Sequence, residues 1–234
     1  MTSALSRSTH TATPDDSARE SIFDSIRRSL AESALIDERR AKRYPARTEK
    51  TLPEHYPPSR ETLVENFRSN LETVGVHFQI VSNESGVTEN VLAAIEKLGA
   101  NKVAISDSPL VEAVTKNISG VEIVRSADRE YLFGSDVGIT SAQWAIAETG
   151  TLVLESRDER HRLISLVPPV HICILEADRI RQTLGEILET IQEDLSRTVT
   201  FITGASRTSD IELTLAIGVH GPRDLHVILI DRQA

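Results

Sequence analysis

The chain is short of several things that usually announce a function. Its 234 residues hold one cysteine, one tryptophan, three tyrosines and five phenylalanines. A single cysteine excludes an internal disulfide, and Cys173, inside the apolar run "VHICILEA", reads as a small buried hydrophobe. No helix N-terminus or basic neighbour stands ready to lower its pKa. H-x-x-E-H, C-x-x-C and comparable ligand spacings are missing, so neither a metal nor a cofactor is expected. Base is scarce too: 26 Lys and Arg face 35 Asp and Glu, a net charge of −9 at pH 7. Such a surface repels phosphate backbones, and no basic stripe is interleaved with aromatics, so nucleic acid is not an expected partner. No apolar run is long enough to span a bilayer, and "MTSALSRSTHTATPDDSARE" lacks the apolar core of a secretory signal. A cytoplasmic protein without a membrane span is the expectation.

The charge that is present is unevenly placed. Residues 1–50 carry 10 basic and 8 acidic side chains, which leaves 16 basic and 27 acidic for the rest; the arm is +2 and the body −11. "RRAKRYPAR" puts five basic groups into residues 39–47, either as a solvated linker or as a surface for the acidic body or a partner. Residues 1–14 are Ser/Thr-rich without periodicity and read as disordered. Ile22, Phe23, Ile26 and Leu30 mark one face of a helix that begins near Asp15 to Ser17. After a Pro-containing linker, Ser59 is a helix N-cap with Glu61 in the first turn, or Thr62 and Glu65 form a capping box one turn later. The division expected is therefore an N-terminal arm over residues 1–57 and one α/β domain over 58–234.

From residue 76 the pattern alternates: strand "VHFQIVS", helix "TENVLAAIEKLG", strand "KVAIS", helix "PLVEAVTKNI", strand "VEIV". That is the signature of a parallel sheet with helices on its faces. After residue 134 the stretches "GSDVGITSAQWAIAETGTLVLES" and "LISLVPPVHICILEA" leave no room for a helix between short strands, which predicts antiparallel or mixed pairing. The helix "RIRQTLGEILETIQEDL" then leads into a closing strand, helix and strand over residues 201–230.

In that closing unit a strand turns through Gly204 into an expected helix, and a helix N-terminus gathers unpaired N–H groups that bind anions. Ser206, Thr208 and Ser209 add hydroxyls, and Arg207 adds a forked cation suited to carboxylate or phosphate. Ser209 and Glu212 equally match a capping box, with Asp210 suiting the helix dipole, so ligand binding and simple capping both stand. His220, beside Gly221-Pro222, is expected at a loop tip near the helix's C-terminal end. A second constellation is "AETGTLVLES": Glu148 before Thr149-Gly150 sits at a strand edge, as a site carboxylate or as a plain hairpin turn. In "VPPVH", Pro168 and Pro169 stiffen a strand entry and aim His171, as a site residue or as a satisfied core histidine.

"GITSAQWAIAETGTLVLES", "LISLVPPVHICIL" and "FITGASRTSDIELTLAIGVHGPRDLHVILI" closely resemble the lactate-utilisation (LUD) domain family, in its lactate utilisation protein C branch, over residues 138–230 and more loosely back to about 60. The resemblance implies an α/β fold of the NagB/RpiA/CoA-transferase-like kind, an open mixed sheet flanked by helices, and a place in a bacterial three-protein system that oxidises L-lactate to pyruvate. It implies iron-sulfur proteins as partners, since one cysteine cannot hold a Cys-ligated cluster. Carried over by position, the family pattern includes Glu148, Thr149, Gly150, His171, Gly204, Ser206, Arg207, Asp210, Glu212, His220 and Gly221. Three readings follow. In the first, the Gly204–Arg207 turn holds a small anion of the lactate or pyruvate class while Glu148 and His171 or His220 orient it or exchange protons. In the second, Glu148 is the nucleophile of a CoA-transferase-like acyl transfer, its "ETG" resembling an E-x-G turn. In the third, the arm and first helix make the chain an assembly module for an iron-sulfur partner or for a homo-oligomer.

Overall fold

The computed structural model describes residues 16–43, 58–125, 129–156, 162–192, 196–209, 215–217 and 221–233. The Ser/Thr-rich start and the Pro-containing linker read from the sequence lie outside them. The chain separates into two units, Met1–Tyr56 and Pro57–Ala234. The first contains helix α1 (Asp16–Arg43), whose Ile22, Phe23, Ile26 and Leu30 are all exposed. Among the described residues no helix is long and apolar enough to cross a membrane.

In the second unit, α2 (Arg60–Thr73) starts where Ser59 accepts a hydrogen bond from the Thr62 amide at 3.3 Å, with Glu61 in the first turn. The Thr62/Glu65 alternative is not used. Strand β1 (His77–Val81) follows, then α3 (Glu84–Leu98), which begins a turn earlier than its apolar periodicity indicated because Asn83 caps the Gly86 amide at 3.0 Å. β2 (Lys102–Ile105), α4 (Pro109–Thr115), β3 (Glu122–Val124), α5 (Arg129–Phe133) and β4 (Val137–Ser141) complete the alternating half. The second half brings β5 (Trp144–Ile146), β6 (Thr151–Glu155), β7 (Val170–Glu176), β8 (Ile180–Arg181), α6 (Leu184–Gln192) and β9 (Val199–Ile202). It closes with β10 (Arg207–Ser209), β11 (Leu215–Ile217) and β12 (Asp224–Ile230).

Six strands form one sheet in the order β1-β12-β7-β4-β2-β3, every neighbouring pair parallel. A second sheet, β8-β5-β6-β9, pairs β5 with β6 and β6 with β9 antiparallel. The expectation of antiparallel or mixed pairing after residue 134 is met: β5 and β6 pair antiparallel, β5 and β8 pair parallel, and β4 and β7 belong to the parallel sheet. Parallel strands read as unbroken apolar runs because both faces are covered. On β7 the side chains divide by period two: Ile172 and Ile174 pack with Val87, Val91 and Ile139 beneath α3 and α4. Cys173 and Leu175 face the other way, with Phe67, Leu71, Leu152 and Leu154 from α2 and the second sheet. Phe67 is fully buried and meets Phe78 edge-on, centroids 6.1 Å apart; burying such a ring contributes about 1.5–3 kcal/mol.

One glycine in β4 is required by close approach. A Cβ on Gly138 would lie 2.1 Å from the Ile164 carbonyl oxygen, in the short 3-10 turn Arg162–Ser165 that lies across the strand. Gly138→Ala is expected to destabilise the protein by about 1–3 kcal/mol or more, since neither backbone can retreat. A lowered urea midpoint at unchanged slope is the measurement.

Candidate functional site

The site expected around residues 204–221 is built differently from its sequence reading. Where a helix was expected after Gly204, Arg207–Ser209 is a strand, paired antiparallel with Leu215–Ile217. The correction has a local cause. The stretch "IELTLAIGV" has Ile or Leu at every second position up to Val219, a strand period, and the capping-box spacing of Ser209 and Glu212 has no helical stripe behind it. Thus no helix N-terminus opens at Arg207. Asp210, Glu212 and His220 lie outside the described residues.

His171, Gly204, Ser206 and Gly221 nevertheless meet, at the wall of a cavity of about 200 Å³. The meeting is held by backbone: the Ser206 amide donates to the Pro222 carbonyl at 2.7 Å, and the Arg223 amide to the Pro169 carbonyl at 2.9 Å. Ser165 adds a second hydroxyl, and Phe201, Pro222 and Leu225 add apolar surface to the lining. His171 and Leu225 are the second residues of β7 and β12, so this cavity opens at the amino ends of the parallel strands.

His171 is 1% exposed, and its Nε2 lies 2.8 Å from Thr140 Oγ1 on the neighbouring β4, while Nδ1 has no hydrogen-bond partner among the described residues. Burial pushes its pKa down to about 3, so the ring is neutral near pH 7. A neutral imidazole has one donor and one acceptor nitrogen. If Thr140 donates to Nε2, Nδ1 carries the proton; if Thr140 accepts, Nδ1 offers a lone pair. Thr140 was not foreseen, and its only sequence signal is a polar residue inside the buried strand "VGITS".

The "ETG" turn lies elsewhere. Glu148 is exposed, lines neither this cavity nor the one described next, and its Oε1 accepts from the Leu184 amide at 3.1 Å, at the start of α6. That helix begins at Leu184 and not nearer Arg179 because Ile180 and Arg181 are drawn into β8; Thr183 Oγ1 caps the Glu186 amide at 3.3 Å, and Glu186 reaches back to the Gln182 amide at 3.1 Å. Gly150, at φ +64°, presses on the backbone of α2, where an added Cβ would meet the Leu71 nitrogen at 2.9 Å. Thr149 joins the cavity only through hydroxyls: Thr149 to Thr151 at 2.7 Å, then Thr151 to Thr203, a lining residue, at 2.8 Å. Arg207 donates through its guanidinium to the Val74 carbonyl at the end of α2, so its charge completes that helix end.

A second cavity, of about 470 Å³, opens at the opposite ends of the parallel strands. Ser108, Ser141, Gln143, Trp144, Glu155 and Arg179 line it. The loops after residues 154, 175 and 203 would share one rim only if their strands were parallel neighbours, and they are not. Glu155 and Glu176 do meet in this cavity, but Thr203 lines the first, because β6 runs antiparallel to β9 and Glu155 pairs with Val199 while Leu152 pairs with Ile202. Among the described residues no group of three or more His, Cys, Asp or Glu is placed to hold a metal ion.

Residues 64–230 match the LUD domain family. An uncharacterised protein of Neisseria meningitidis is 39% identical over 120 residues, covering 49% of this chain and 52% of that protein. Lactate utilization protein C of Deinococcus radiodurans is 43% identical over 99 residues, 41% of this chain and 47% of that protein. Lactate utilization protein C of an Exiguobacterium is 30% identical over 184 residues, 74% of this chain and 79% of that protein. The match thus spans about half the length of the first two relatives. The crystal structure of a DUF162 family protein from Deinococcus radiodurans superposes with a TM-score of 0.58 at 26% identity, over 75% of this chain and 100% of that one.

Two outcomes follow from the geometry. Because His171 binds its proton far less readily folded than unfolded, its contribution to stability is fully present above about pH 6.5 and is lost as pH falls toward about 3. The loss is at most about 1.4 kcal/mol per pH unit. The depressed pKa of His226 acts with the same sign, so the urea midpoint of His171→Gln should fall less steeply with acid than that of the wild type without becoming flat. Glu148→Ala should cost about 1 kcal/mol by uncapping α6, read as a lower thermal midpoint, with Glu148→Asp tested for partial rescue.

Proposed function

Since the chain belongs to the LUD domain family, we propose that it is a component of lactate utilisation that binds a small carboxylate of the lactate and pyruvate class in the cavity beside His171. The names of its relatives support the pathway. The observation that carries the site is the buried Nδ1 of His171, without a hydrogen-bond partner among the described residues, on a residue that lines a cavity of about 200 Å³. Either tautomer suits one member of the substrate pair: an Nδ1 lone pair accepts from the hydroxyl of lactate, and an Nδ1–H donates to the keto oxygen of pyruvate. The apolar side chains of Phe201, Pro222 and Leu225 take the methyl group, and the Ser206 hydroxyl is the donor for the carboxylate, since the Ser165 hydroxyl already donates to the Arg162 carbonyl at 2.7 Å. Asp210, Glu212 and His220 enter this reading only through the family pattern.

Oxidation of lactate to pyruvate releases two electrons and two protons. A single buried cysteine cannot ligate an iron-sulfur cluster, so in this reading the electrons pass to iron-sulfur partner proteins, and the chain presents and orients the substrate. Glu148 and Arg207 act as positioning residues, one fixing α6 and the other the end of α2.

Calorimetric titration with L-lactate and with pyruvate tests the site. Wild-type binding that weakens about tenfold in His171→Gln and in Ser206→Ala is the expected result, the worth of one hydrogen bond to a charged or desolvated group. Absence of wild-type binding to both acids defeats the site. Co-expression with the iron-sulfur proteins and measurement of lactate-dependent dye reduction tests the pathway: activity should require this chain and fall in His171→Gln, whereas activity that requires the chain but ignores the substitution would assign it to assembly.

A further inference from the structure

The sheet order places a second feature at the other end of the strands. The chain leaves β2 outward to β3 and then returns to β4 on the opposite side of β2. Connections therefore diverge between the carboxyl ends of β2 and β4, and such a switch point is where open parallel sheets leave a crevice for ligands. The cavity of about 470 Å³ is there: Ser108 follows β2, Ser141 ends β4, and Arg179 follows β7. It is more than twice the volume of the cavity beside His171.

We propose that this cavity binds an organic oxyanion, carboxylate or phosphoryl, larger than lactate, with Arg179 as its counter-charge. Arg179 lies with its guanidinium carbon 5.2 Å from the Trp144 ring centroid and forms no ion pair among the described residues. The carboxylates in the lining are engaged. Glu155, 2% exposed, accepts from Trp144 Nε1 at 3.1 Å and from Ser196 Oγ at 2.9 Å, and Glu176 lies 3.4 Å from the Arg232 guanidinium. The cation thus faces the cavity with its stacking satisfied and its forked donors available, the arrangement that suits bidentate oxyanion recognition. Ser108 supplies a second donor. Its Oγ accepts from Ser141 at 2.8 Å, which leaves its own proton to give, and both serines are buried. The Trp144 ring and the Pro109, Leu110 and Ala142 side chains give the lining an apolar surface for the carbon part of the ligand.

Trp144 is the chain's only tryptophan, so its emission reports on this cavity and not on the one beside His171. The full-length protein is titrated with citrate and with pyrophosphate, which separate carboxylate from phosphoryl recognition, and with L-lactate as the small comparison. Saturable change in Trp144 emission with citrate or pyrophosphate, half-saturating about tenfold higher in Arg179→Ala and unchanged in Ser206→Ala, is expected. Arg179→Lys should retain part of the affinity, since it keeps the charge and loses the fork. Circular dichroism melts confirm that the Arg179 variants, altered at an exposed side chain, are folded. Absence of saturation with both larger anions overturns the proposal, as does an affinity indifferent to Arg179→Ala. Because Ser206 and His171 take no part, failure here leaves the lactate reading standing, and failure there leaves this one.

Discussion

Everything in the larger unit hangs on β7, a seven-residue strand with a neighbour on each edge and a packed layer on each face. Its backbone groups are spoken for by β12 on one side and β4 on the other, and its side chains from Val170 to Leu175 are buried. A strand in that position tolerates no unpaired polar group without cost. It therefore fixes the separation of the helix layer from the second sheet, and it decides what a polar residue on it can be.

His171 is that residue. Placed on the face shared with Cys173 and Leu175, it projects toward the second sheet, where the loop carrying Thr203 to Ser206 passes. Burial keeps its ring neutral, Thr140 fixes one nitrogen, and the Pro169–Arg223 and Ser206–Pro222 backbone bonds close the loops over it. Gly138, directly across from His171 in register, lets the Ile164 turn lie against the sheet, which brings Ser165 to the same wall. A neutral imidazole among hydroxyls and apolar side chains suits the hydroxyl or keto group of a small acid, whose carboxylate is left to the Ser206 hydroxyl. The Arg179 guanidinium, without an ion pair among the described residues, is at the far end of the same strands, beyond Glu176.

Much of the fold was legible because its signals are local. Ser59 and Glu61 marked the start of α2, the alternation of apolar runs and helical stripes gave the parallel half, and "VPPVH" with "FITGASR" named residues that do share a cavity. The misreadings arose where local and long-range terms compete. "SDIE" has capping-box spacing, yet Arg207–Ser209 pairs with Leu215–Ile217, since a cap without an apolar helical face behind it does not outweigh a cross-strand ladder. The family pattern grouped Glu148 and Arg207 with the site, but each side chain satisfies a helix end of its own.

The sequence by itself determined the elements that depend on spacing within a few residues: the Ser59 cap of α2, the unbroken apolar runs of strands buried on both faces, and the family to which residues 64–230 belong. Only the tertiary structure decided which strand ends share a rim. That depends on β6 running antiparallel to β9 and on β4 lying between β2 and β7, pairings between residues tens of positions apart that no local periodicity encodes. For the same reason Thr140, Ser141 and Arg179, unremarkable in sequence, became partners of His171, Ser108 and Trp144 only once the sheet order had set them side by side.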